Sequence, residues 1–151
     1  MLVKVLGHNL LGMTPEQQQA YVDRARPLMP RFSAPLVARL PALDRVRAAL
    51  LAAGDLAGLL ALARFEVTQR RPEPLVEDGQ VLARYPLLRE GAVPDEAYDI
   101  TDELALDHCV EEVRWDGDRL TVRWTPYAPA LRAEDLQWSL AVRARGTPGA
   151  A

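Results

Sequence analysis

The stretch PALDRVRAALLAAGDLAGLLALARF, residues 41–65, decides how the first half of this chain folds. A helix begins near Pro41 or a little earlier, and Leu43, Val46, Leu50 and Leu51 fall on one stripe of it. Gly54 then offers the left-handed backbone that ends helices. Asp55 follows at once and can cap a second helix, which buries Leu56, Leu59, Leu60 and Ala63. So short a connection favours antiparallel packing of the two.

Working toward the N-terminus, Thr14-Pro15-Glu16-Gln17 is a helix start. Thr14 caps, Pro15 suits the first helical position and Gln17 completes a capping box. That helix should bury Tyr21, Val22, Ala25 and Leu28, with Pro30 ending it. Before it, Leu2, Leu6 and Leu10 recur at helical spacing, and Gly12 is the stop.

Toward the C-terminus the period changes from helical to two. Asp78-Gly79, between Leu75-Val76 and Val81-Leu82, signals a tight hairpin. From Arg89 to Asp107 the chain is acidic and rich in turn residues, and reads as a long surface connection. A second hairpin is centred near Asp116-Gly117, with Val113 and Trp115 on one strand and Leu120, Val122 and Trp124 on the other. Gln137 to Arg145 offers a last strand burying Trp138, Leu140 and Val142. The sequence therefore predicts an α+β chain with a small N-terminal helical bundle over residues 1–65. A hairpin and acidic connecting segment over 66–107 lead into a partial antiparallel β-sandwich over 108–145, and 146–151 form a disordered tail. Three strands after residue 108 fall short of the roughly seven in a closed sandwich, so their edges and apolar face need a cover.

Composition narrows the classes. The chain has 151 residues, 49% of them hydrophobic and 26% charged, the balance of an ordinary globular protein. A net charge of −3 supplies no general field for a phosphate backbone, which counts against nucleic acid as the main partner. The single Cys109 excludes an internal disulfide and any multi-cysteine metal site. Lys4 is the sole lysine, Ile100 the sole isoleucine and Asn9 the sole asparagine, a usage that points to a GC-rich genome such as an actinobacterial one. No leader is evident, and the apolar run Ala48 to Ala63 is broken by Gly54-Asp55 and too short to span a bilayer. A cytoplasmic location is expected.

Catalytic equipment is not visible. Asp116-Gly117-Asp118 has the form of a metal–nucleotide motif, yet its place between two strands makes it a turn. Asp95, Asp99, Asp102, Glu103 and Asp107 lack the spacing of a calcium loop and read as a solvated connection. His108 and Cys109 alternate across a strand, and the thiol is expected to be inert and partly buried. Glu111 and Glu112, also neighbours on a strand, should not face one substrate bond. Trp115, Trp124 and Trp138 share parity with apolar neighbours and are expected in a core. Tyr127, between Pro126 and Pro129, is freer to meet solvent. The carbohydrate-binding candidates are Tyr127 and Trp124, whose flat rings suit sugar faces; no catalytic residue, metal ligand or cofactor is assigned.

Three segments carry a resemblance: 76–86 (VEDGQVLARYP), 93–104 (VPDEAYDITDEL) and 113–123 (VRWDGDRLTVR). Together they resemble the region that follows the catalytic domain in actinobacterial family 2 glycosyltransferases, similar to those that glycosylate teichoic acid. In that family a nucleotide-sugar domain is followed by a helical linker and β-sandwich modules, and the helical stretch before residue 65 is similar to the linker in character. The resemblance implies that the catalytic domain lies on another polypeptide, as in a truncated or split reading frame or a degenerated relative. It also implies a non-catalytic accessory segment that positions an acceptor glycan, or a partner such as the catalytic domain. The alternative is a free-standing interaction module that pairs, or oligomerises, through an open sheet edge. A small enzyme with scattered acids is a weaker third reading.

Overall fold

The computed structural model describes residues 8–69, 71–91, 93–105, 107–128 and 131. The chain divides into two compact units, Met1–Ala105 and Leu106–Ala151. The architecture is α+β: helices come first, and two small antiparallel two-stranded sheets follow.

In the first unit, α1 (His8–Leu11) and α2 (Pro15–Ala25) are joined by the expected capping box. The Thr14 amide donates to Gln17 Oε1 at 2.9 Å, and the Gln17 amide donates to Thr14 Oγ1 at 3.4 Å. Gln18 Nε2 donates to the Leu10 and Met13 carbonyls at 2.9 and 3.2 Å, fixing the end of α1 to α2. Val22 and Ala25 are buried, whereas Tyr21 and Leu28 are half-buried. The α-helix stops at Ala25, earlier than the expected Pro30, because Pro27 has no N–H to continue the ladder. The chain tightens into a 3-10 segment, Arg26–Arg31, and then makes a short α3 (Ala34–Ala38) that has too few residues to show a period.

The central pair, α4 (Ala42–Ala53) and α5 (Leu56–Thr68), turns as its sequence demands. Gly54 has φ 76°, and the Asp55 amide donates to the Leu50 carbonyl at 2.9 Å. Asp55 Oδ1 accepts from the Gly58 amide at 2.9 Å and caps α5. Val46, Leu50, Leu51, Leu59, Leu62 and Ala63 are buried between them and their neighbours. Arg47, only 6% exposed, is neutralised by Asp44 at 2.6 Å and by Glu66.

The start of α4 has a remote cap. Pro41 stands at its N-cap and offers no side-chain acceptor. Glu103 Oε1 takes its place, accepting from the Ala42 amide at 2.6 Å. The same carboxylate lies 3.3 Å from Arg45 Nη1. Arg45 in turn donates to the carbonyls of Leu40 at 2.7 Å, Ala97 at 3.3 Å and Asp99.

Strands β1 (Pro74–Glu77) and β2 (Gln80–Ala83) form the first hairpin, with φ 48° at Asp78 and 80° at Gly79. Both turn residues have positive φ, as a two-residue turn matching the strand twist requires. Residues 99–101 then run beside β2. The Ile100 amide donates to the Val81 carbonyl at 2.8 Å, and the Val81 amide donates to Thr101 Oγ1 at 2.9 Å. The reading of residues 89–107 as a surface connection is corrected here. Two short 3-10 turns, Asp95–Tyr98 and Thr101–Glu103, bring Val93, Ala97 and Tyr98 inward, and Tyr98 is 0% exposed. These residues and Leu82 share one core with α1, α2, α4 and α5. Phe65 on α5 meets Tyr85 edge to face, with ring centroids 5.6 Å apart.

The second unit holds β3 (Asp107–Asp116) and β4 (Arg119–Tyr127), a hairpin with an irregular register between Val110 and Glu112. Glu111 is the extra residue there. It shifts Val110 onto the same face as Val113 and Trp115, opposite Trp124, Val122 and Leu120. From Val110 to Trp115 that face is therefore apolar. The expectation that Trp115 packs in a core is not met, since Trp115 is 67% exposed and Val113 60%. The predicted strand 137–145, with Trp138, and the predicted tail 146–151 lie outside the described residues, as does the helical pattern at Leu2 and Leu6.

Two outcomes follow from the shared core. A fragment ending at residue 68 leaves the tops of α4 and α5 without Leu82, Val93 and Tyr98. It should lose the sharp thermal transition that residues 1–105 retain, as followed by circular dichroism. Burial, with Asp95 adding to it, pushes the Tyr98 hydroxyl from its ordinary value of 10.0 up to about 12. Folded chain keeps this proton where unfolded chain releases it, so the contribution is intact below pH 10 and declines between pH 10 and 12. Denaturation midpoints across that window should fall less steeply for Tyr98→Phe than for the parent.

Candidate functional site

The aromatic candidates sit on the second hairpin. Trp124 is opposite Val110, and Tyr127 is opposite Asp107. Three residues apart on a regular strand, they lie on opposite faces, so the hairpin does not bring the two rings together. Trp124 belongs to the apolar face and is half-buried; Tyr127 belongs to the polar face and is 61% exposed.

The bulge also changes the chemistry of the polar face. Glu111 accepts from Thr125 Oγ1, and Glu112 lies 3.8 Å from Arg123 and 3.9 Å from Arg114. Strict alternation would separate the two glutamates, but the extra residue places both on the polar face. Cys109 pairs with Thr125 on that face and is exposed, which corrects the expectation of a partly buried thiol. His108, opposite Pro126, lies on the other face.

The acidic run 95–107 is used structurally. Asp95 lies 3.2 Å from Arg89, and Asp99 Oδ1 accepts from the Thr101 amide and hydroxyl at 2.8 and 2.6 Å. Glu103 caps α4. Arg89 also meets Glu77 and, chiefly through that hydrogen bond, holds its carboxyl below the usual range. Among the described residues, no three His, Cys, Asp or Glu side chains gather where they would hold a metal ion. Asp116-Gly117-Asp118 is a turn: Asp116 pairs with Arg119, Gly117 has φ 63°, and no atom approaches the place of its missing Cβ.

Periodicity does not announce the open cleft of about 940 Å³ beside α4 in the first unit. Met29 and Phe32 line it with Val37 of α3 and with Ala48, Ala49 and Ala52 of α4. Arg26, Arg45 and Glu96 are its charged members. A second cleft of about 800 Å³ lies beside Phe65, Tyr85 and Leu87, where Arg84 and Arg89 meet Glu73 and Glu77. Eight of the first cleft's lining residues come from the stretch 24–40, which holds four arginines and no acid.

The turn assignment has a direct test. Gly117→Val should destabilise the second unit by about 1 kcal/mol or more, because a β-branched residue resists positive φ. Asp118→Asn should leave stability within about 0.5 kcal/mol. Calorimetric titration with Mn²⁺ should give the same trace for both the parent chain and Asp118→Asn.

Against known proteins, no curated protein matches the sequence. No helix among the described residues is long and apolar enough to cross a membrane. A family model does match: residues 1–63 are similar to the glycosyl transferase TarS linker domain, a stretch that runs from α1 through most of α5 and leaves out the hairpins.

Proposed function

We propose that this chain is a non-catalytic accessory segment of a cell-wall, teichoic-acid-type family 2 glycosyltransferase from an actinobacterium. It acts in the cytoplasm by holding an acceptor glycan or a catalytic partner in place. The observation that carries this reading is the match of residues 1–63 to a glycosyltransferase linker domain. Its physical support is the rigidity of the first unit, where one core and the clasp of Glu103 on Ala42 join residues 61 positions apart. A rigid unit transmits position, which is what a linker contributes to a reaction carried out elsewhere. The acceptor contacts would come from Tyr127 and Trp124, each from its own face of the second hairpin.

The apolar face of β3–β4 favours one second reading, an interaction module. Val110, Val113 and Trp115 are exposed in a row, and each strand presents an unpaired edge among the described residues. The module would pair with a partner strand, or with another copy, through that edge.

The test uses the whole chain. Incubated with UDP-, GDP- or CDP-sugars and a divalent metal, it should release no more nucleotide than buffer does. Added to the catalytic domain of a teichoic-acid glycosyltransferase stripped of its own linker, it should raise transfer to polymeric acceptor. Metal-dependent turnover by the purified chain alone would overturn the non-catalytic reading. A chain without effect on the catalytic domain, but retaining a partner through β3–β4, would favour the second.

A further inference from the structure

The first unit carries a surface that neither the linker match nor the aromatic candidates account for. Between Arg24 and Leu40 the chain has four arginines, 24, 26, 31 and 39, and no acid. The whole chain carries −3, so the residues outside this stretch together carry −7, the difference between −3 and +4. All four arginines are exposed. None pairs with a carboxylate among the described residues, whereas Arg45, Arg47 and Arg89 each do. Set among them are Phe32, 40% exposed, and Leu36, 50% exposed. Phe32 also lines the cleft beside α4, together with Ala48, Ala49 and Ala52 and the charged Arg26, Arg45 and Glu96.

We propose that the basic, apolar segment 24–40 of the first unit docks on an anionic phospholipid surface, with Arg31 and Arg39 meeting headgroup phosphates and Phe32 and Leu36 entering the acyl boundary. Charge complementarity selects the occupant. Arginines with no internal partner keep their full attraction for a negative surface, and each adds to binding that salt screens. Within the first unit the residues outside this stretch carry −6, 8 basic against 14 acidic, so the same surface attracts this stretch and repels the rest of the unit. The apolar side chains supply the second signal that stable interfacial binding requires. The cleft that Phe32 lines is mostly apolar, and Arg26 and Arg45 outnumber Glu96 among its charged members, as acyl carbon beneath a phosphate headgroup asks. Pro27, Pro30 and Pro35 hold the backbone that presents these side chains, so little ordering remains to be done on contact. Nothing in this requires the glycosyltransferase reading.

The experiment is sedimentation of the full chain with vesicles. Phosphatidylglycerol mixed equally with phosphatidylcholine should carry the chain down, phosphatidylcholine alone should not, and high salt should release it. The double charge reversal Arg31→Glu with Arg39→Glu should weaken binding by at least about tenfold. Phe32→Ser with Leu36→Ser should weaken it too, while leaving the salt dependence in place. Both variants alter exposed residues, and unchanged melting would show that the fold is kept. Sodium polyphosphate in solution is the competing arm. If it binds as tightly as the vesicles do, and indifferently to Phe32→Ser with Leu36→Ser, the face is a site for soluble polyanions and the lipid proposal fails. No sedimentation with phosphatidylglycerol, or equal sedimentation of all variants, also overturns it. Failure to bind either probe would leave the face to a protein partner.

Discussion

The Glu103 carboxylate at the start of α4 is the contact on which the first unit turns. A helix begins with amides that have no partner inside it, and Pro41 cannot supply one. Glu103 accepts from the Ala42 amide, and its negative charge is well placed against the positive end of the helix. Arg45, one turn along, neutralises the same carboxylate and spends its remaining donors on the Leu40, Ala97 and Asp99 carbonyls. Those carbonyls belong to irregular backbone that would otherwise have to stay in water. The clasp thus completes a helix and closes a loop at once. With the loop held there, Tyr98 and Val93 can be buried and residues 99–101 can lie beside β2.

What the sequence made legible was local. The capping box at Thr14, the Gly54-Asp55 break and the Asp78-Gly79 turn each depend on residues within a few positions, and each has its predicted geometry. What it hid was set by distant partners. An acidic, turn-rich stretch looks solvated until its acids find Arg45, Arg89 and a helix end, and nothing near Glu103 announces an amide 61 residues away. The cleft was hidden for a related reason. Prolines 27, 30 and 35 break the helical period in the segment that walls it, and a periodic reading passes over what has no period.

The second hairpin shows a subtler failure. Alternation assigned Val113, Trp115, Leu120, Val122 and Trp124 to one face, and the register agrees. It could not see that one extra residue at Glu111 flips the remainder of β3. Val110 thereby joins the apolar face, and Glu111 and Glu112 both reach the polar one. The aromatic candidates fare differently for a simple geometric reason: 124 and 127 have opposite parity, so no one sugar ring can rest on both. The apolar face itself follows sheet logic but is exposed among the described residues, and two strands alone do not bury enough to be stable in water.

The linker match and the folded unit have different ends, and the difference is physical. The match covers residues 1–63, where helical periodicity is strong, and ends inside α5. The compact unit extends to Ala105. Leu59 and Leu62 pack in the same cluster as Leu82, Val93 and Tyr98, so the helices before residue 63 are not a finished body by themselves. They present a face that the first hairpin and the 93–104 segment must cover. That second stretch includes two of the segments from which the glycosyltransferase resemblance was drawn, VEDGQVLARYP and VPDEAYDITDEL. The helical stretch similar to a linker and the segments that resemble the region beyond it are therefore parts of one core.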